Sequence, residues 1–359
     1  MTEVMRTAWG NPSAQHAQGA AGRVHLEIAR KRMLAALGDR DGIGDIVWTS
    51  GCTEADALGV LGAARAPGRE RGAIVLTTIE HPAVSAAVIG LGDRMIVHVA
   101  PDANGVIDPE AIADASTGAS VVAIVMVQNE IGTVQPVAAI ASAVRRRVPD
   151  CHIHVDAAQA FGKVAIDVTT LGVDSIAIAG HKLHAPKGTG ALWLRKGATL
   201  APLWVGGGQQ GGLRGGTLDA PGAAGLGIAA ERAVAALVTA RTTWLELAQA
   251  VCARLTERGV RFRQLVPDHR RSPHILALGF PGVPASALRT VLSSRGVYVS
   301  TGSSCAERDS KPSAVLAAIE LPADVGMCRL SFGLDTTAAD VTTATEILAD
   351  VALELVKSA

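Results

Sequence analysis

Two charged side chains that close short apolar runs offer the most specific chemistry in this chain. Lys182 ends the run Ser175-Ile-Ala-Ile-Ala-Gly-His-Lys, where a buried strand gives way to a turn. An amine held there can shed its proton and condense with an aldehyde. Asp156 closes a second run, His154-Val-Asp, and Gln159 follows three residues later. A carboxylate in apolar surroundings is costly unless a cation meets it.

Further polar groups follow other short strands. Ser50-Gly-Cys52-Thr53 opens a helix, and backbone N–H groups with the Thr53 hydroxyl suit a dianion. Thr53 with Asp56 also reads as a capping box. In Glu80-His81 the imidazole can stack on an aromatic ring and move protons, or simply cap a helix. Gln128-Asn129-Glu-Ile-Gly132 sets an amide within reach of a phenolic oxygen or a carboxylate, or forms a turn closed by Gly132. Arg214-Gly-Gly-Thr217 lies in a glycine-dense loop and can bring a hydroxyl to a phosphate. Each group has an ordinary structural reading, and Lys182 alone would be a solvated charge. Together, at successive strand ends, they suit pyridoxal phosphate, which needs a lysine for its aldehyde and an acid for its ring nitrogen. Open parallel sheets bind ligands at that edge.

The elements that must position these groups alternate. Strands are expected at 45–48, 73–77, 94–99, 120–127, 151–155, 174–179 and 190–194. Helices intervene, two of them opened by Pro109 and Pro136 at the first turn. That order predicts an α/β fold with a largely parallel sheet covered on both faces. An Ala-rich helix from Ala220 to about Arg258 leads to a smaller α+β region. Strands are expected there at 274–280, 297–299 and 327–332, and helices at 284–295, from Pro312 and from Thr337. The expected domains are 1–235 and 236–359.

Composition narrows the class. The chain has 359 residues, 48% of them hydrophobic, with 33 basic and 33 acidic side chains. A balanced charge gives no footprint for nucleic acid or an anionic membrane surface. The longest apolar run, Val121 to Val127, is too short to span a bilayer, and residues 1–15 lack a signal-peptide core. A soluble, cytoplasmic protein is expected. Five scattered cysteines without a C-x-x-C pair argue against a disulfide framework or a metal site.

The ordered set Gly10-Asn-Pro-Ser13, Ser50-Gly-x-Thr53-Glu54, Glu80-His81, Asn129-Glu-Ile-Gly132, His154-Val-Asp156-Ala-x-Gln159, Gly180-His-Lys182, Arg214-x-Gly-Thr217 and Ser303-x-Cys305 resembles the cysteine desulfurases of the NifS/IscS type. These belong to the class V aminotransferase group, with the type I pyridoxal-phosphate fold and a large seven-stranded, mostly parallel sheet. The resemblance implies that Lys182 carries the cofactor aldehyde, Asp156 pairs with the ring nitrogen and Gln159 with the ring hydroxyl. His81 would stack on the ring and move protons. Thr53, Cys52 and His181 would line the phosphate turn, with Thr217 reaching it across a homodimer interface. Asn129 and Arg329 would bind the substrate. Cys305, in a small and polar loop, would take sulfur from L-cysteine as a persulfide, leave alanine, and pass the sulfur to an acceptor protein in an iron–sulfur or thiolation pathway. Another enzyme of the same fold, a selenocysteine lyase or a cysteine or cystine C–S lyase, is the alternative, and a weakly catalytic sulfur-transfer scaffold is a third reading. Three departures stand out. The family's opening apolar strand has no counterpart before Gly10. Ala179 replaces a usual serine. Cys52 replaces a small residue, either harmlessly or as a second reactive thiol.

Overall fold

A computed structural model describes residues 1–302 and 313–358. The chain divides into two compact units. One comprises Met1–Val99, Ile107–Met126 and Gln135–Ala235, the other Ala100–Val106, Val127–Val134 and Ala236–Ala359.

The first unit is organised by a seven-stranded sheet. Its strands are β1 (Gly44–Thr49), β2 (Ala73–Thr77), β3 (Ile96–Val99), β4 (Ala119–Val125), β5 (His152–Asp156), β6 (Ser175–Ala179) and β7 (Gly190–Arg195). They lie in the order β1-β7-β6-β5-β4-β2-β3. Strand β7 runs antiparallel to both its neighbours, and the pairs from β6 through to β3 are parallel. Every residue of β2, β4, β5 and β6 is buried, as expected of a sheet covered on both faces. The core is aliphatic. Val60, Ile74, Leu76, Val84 and Val121 form one cluster, and Val47, Leu58, Ala177 and Leu192 another.

Local chemistry sets the helix starts. The helix Pro109–Ala115 carries proline in its first turn, and the Asp108 side chain accepts the Glu110 N–H. At Pro82–Ser85 the cap is His81, whose Nδ1 accepts from the Ala83 N–H at 3.1 Å. The helix Cys52–Ala57 continues into a π-helical turn, Leu58–Gly62.

The second unit holds a three-stranded antiparallel sheet of β8 (Arg263–Gln264), β9 (Ile275–Pro281) and β10 (Val325–Ser331), ordered β10-β9-β8. Its core joins Trp244, Val251 and Leu255 to Leu276, Phe280 and Leu348. The strand expected at 297–299 is not formed. Gly296, at φ 80°, ends the turn after helix Ala285–Ser294, and pairing begins only at a bridge between Ser300 and Arg329. Helix Ala220–Glu257 is long and apolar enough to cross a bilayer by length and composition. Its Leu226, Trp244, Val251 and Leu255 are buried within the protein.

Candidate active site

Parallel strands end at one edge of the sheet, and that edge collects the polar groups of the first unit. Asp156 is the last residue of β5 and pairs with Ala177 of β6, the strand that runs on into the 3-10 turn Gly180–Leu183. The acid and Lys182 therefore arise from adjacent strands. Gly180 is required where it stands, since a Cβ there would lie 2.3 Å from Thr189 Oγ1. Lys182 is half-buried and His181 is exposed.

Asp156 is 3% exposed. Its Oδ1 accepts the Ala158 N–H at 2.8 Å and faces the Cys52 thiol at 3.6 Å. Donor atoms of Cys52, Asp56 and Asp156 all lie within 4.8 Å of one another. Asp56 Oδ1 meets His154 Nε2 at 3.1 Å, and His154 Nδ1 meets Ser175 Oγ at 2.8 Å. Burial forces His154 down to about 3, so its ring is neutral and brings no positive charge. Burial, then repulsion from Asp156, lifts the Asp56 carboxyl well above its usual range. Burial likewise raises Asp156, opposed by the Ala158 N–H and by nearby His81. Two buried carboxyls and a thiol beside a neutral His154 are surroundings that a protonated ring nitrogen would suit.

His81 lies within electrostatic range of both Asp156 and Lys182. Burial lowers its proton affinity, Asp156 opposes that, and Lys182 adds to it. It also caps its helix, as its structural reading expects. Glu80, just before it, is buried. Its Oε1 accepts from Thr77 Oγ1 at 2.6 Å and from the Val125 N–H at 2.9 Å, and burial pushes it to about 8.

The turn at residues 50–53 departs from the simplest expectation. Thr53 and Asp56 form no capping box, because Asp56 is turned inward to His154. Glu54 instead accepts the Ser50 N–H at 2.6 Å and pairs with Arg214 Nε at 2.9 Å. Thr53 is left exposed beyond the Gly51 cap. Gly190 makes the close approach here, since a Cβ on it would lie 2.5 Å from Gly51 Cα. Ser50, Gly188, Gly190, Arg214 and exposed Thr217 line one cavity of about 190 Å³. Cys52 turns its thiol toward Asp156. Burial, then Asp56 and Asp156, drives its thiol well upward, away from the reactive thiolate. Ala179, in place of the family serine, is buried and carries no hydroxyl.

In the second unit, Asn129 and Arg329 come together, with the Arg329 guanidinium donating to the Asn129 carbonyl oxygen. Ser300 exchanges backbone hydrogen bonds with Arg329, at 3.3 and 2.7 Å. Gln159 is half-buried in the turn after β5. Cys305 lies outside the described residues.

Sequence reasoning missed the Asp56–His154 pair and Lys163. The signals existed. His154 shares a strand face with Asp156, two residues on. Lys163 follows Ala-Phe-Gly, an apolar lead-in that buries the amine.

Comparison with known proteins identifies the family. A cysteine desulfurase from Cereibacter sphaeroides is 36% identical over 99% of this chain and 92% of its own length. Cysteine desulfurase IscS of Methanosarcina thermophila is 33% identical over 99% of this chain and 88% of its own. Among solved structures, a NifS-like protein superposes with a TM-score of 0.89 at 30% identity, covering 98% of this chain and 93% of that one. The profile of the aminotransferase class-V family matches residues 1–343, and the chain belongs to that family.

Proposed function

We propose that this protein is a pyridoxal-phosphate-dependent cysteine desulfurase that converts L-cysteine to L-alanine and delivers the sulfur to an acceptor protein. The observation that carries the reading is buried Asp156 at the end of β5 and Lys182 in the turn that follows the adjacent β6, with His81 in electrostatic range of both. Near-full-length likeness to proteins named cysteine desulfurase supports the substrate.

Bound at this edge, the cofactor supplies an aldehyde that condenses with amines and a ring that accepts electrons from the substrate carbon. Lys182 would hold the aldehyde and, once displaced by the substrate amine, is a base for the Cα proton. Asp156 would keep the ring nitrogen protonated, and Gln159 would hydrogen-bond the ring hydroxyl. His81, kept neutral by burial, presents its ring face and takes or returns a proton. Thr53 and His181 are the phosphate ligands we assign, joined by Thr217 of a second copy in a homodimer. Arg329 and Asn129 are assigned to the substrate, with the guanidinium on its carboxylate. The Cys305 thiolate would bond to the substrate sulfur as the C–S bond breaks. The bonding pair stays with carbon, which takes a proton and becomes alanine. The persulfide is then handed on in the cytoplasm.

Persulfide mapping after incubation with L-cysteine tests this. Sulfane sulfur on Cys305 with stoichiometric alanine is expected, and Cys305→Ala should abolish both. Alanine production that survives Cys305→Ala would identify a lyase that needs no thiol.

A further inference from the structure

The turn that follows Gln159 carries a buried amine with no role in the scheme above. Lys163 is 8% exposed, and its Nζ donates to the Lys182 carbonyl oxygen at 2.7 Å. No carboxylate pairs with it among the described residues. A buried ammonium without a counter-charge is costly, and methionine would fill the same space at no such cost. The approach is built into the backbone. Gly162 sits at φ 70°, and a Cβ there would lie 2.7 Å from Leu183 Cδ2, so the turn presses directly on the Gly180–Leu183 turn.

We propose that Lys163 is a positioning residue for Lys182: it clamps the carbonyl of the turn that presents the Lys182 amine, and it sets a second positive charge that disfavours a proton on the Lys182 nitrogen. The inference rests on Lys182 being the cofactor lysine. Burial, then repulsion from Lys182, brings Lys163 down to about 8, which fits two amines sharing one region. The other charged or titratable groups facing this region are His181 and Lys187 downstream of β6, His81 from the helix after β2, and Asp156 from β5. Asp156 favours the protonated form, and the lysines oppose it.

The test follows the visible absorption of the cofactor-loaded protein across pH. In Lys163→Met the midpoint of the spectral change should rise by on the order of one pH unit, since a like charge has been removed. Cofactor release into excess scavenger should quicken several-fold. Lys163→Arg, which keeps charge and donors, should restore the wild-type midpoint. Should the methionine variant fail to fold, Lys163→Gln carries the same expected midpoint. An unmoved midpoint in the neutral variants, or an equal shift in Lys163→Arg, would overturn the inference while leaving the assignment of Lys182 intact. Absence of a cofactor band in the wild type would overturn both.

Discussion

At the residue scale, three neighbouring groups bind their protons more tightly than usual, for reasons visible in their surroundings. Burial raises the Asp156 carboxyl against the pull of nearby His81 and Lys182, burial and Asp156 raise Asp56 well above its usual range, and Cys52 between them is driven further from its thiolate. Asp156→Asn removes the acid that we assign to the ring nitrogen. The loss should be about 3 kcal/mol, roughly a hundredfold in kcat, read from alanine production at saturating cysteine. Cys52→Ala removes only a weak donor, so turnover should stay within roughly threefold of wild type, a fraction of a kcal/mol. Alkylation of native protein should be slow at Cys52 for the same reason; rapid labelling there would show a thiolate and reopen its role. The sequence displayed Lys182, Asp156 and His81 plainly, because each closes an apolar run. The apolar lead-in to Lys163 hints at burial, but nothing in it announces that the amine folds back onto a carbonyl nineteen residues on.

At the element scale, the sheet edge depends on close backbone contact. Gly190→Ala would push a methyl group into the Gly51 backbone, which cannot yield as a flexible side chain would. A loss of about 1–3 kcal/mol is expected from urea denaturation, with weaker cofactor retention because the turn at residues 50–53 is displaced. The alternation of β-branched runs and Pro-opened helices made β2 and β4 to β6 legible. The reversed direction of β7 was less so, although the link from Ala179 to Gly190 is too short for a parallel crossover. In the second unit β8 spans only Arg263–Gln264, too short for alternation to show. The β-branched Val297-Tyr-Val299 has strand propensity without a partner, so propensity misled.

At the scale of the whole molecule, buried groups of opposite sign shape stability against pH. His154 sits near 3 when folded, against 6.5 when exposed. Between those values the unfolded chain binds the proton that the folded chain refuses, so stability falls as pH drops below 6.5. Glu80 works the other way. Its folded value of about 8 exceeds the ordinary 4.5, so its contribution is complete below 4.5 and is lost as pH rises through 8. Urea midpoints of the cofactor-free protein should therefore decline on both sides of a maximum. Glu80→Gln should flatten the alkaline limb and leave the acid limb in place. A variant curve parallel to the wild type would contradict the assignment to Glu80.

The most direct measurement is reduction of the cofactor-loaded protein with borohydride, followed by peptide mapping. The expected result is a single pyridoxyl adduct, on Lys182. An adduct on Lys163 or Lys187 instead, or none at all, would contradict the assignment of Lys182 as the cofactor lysine.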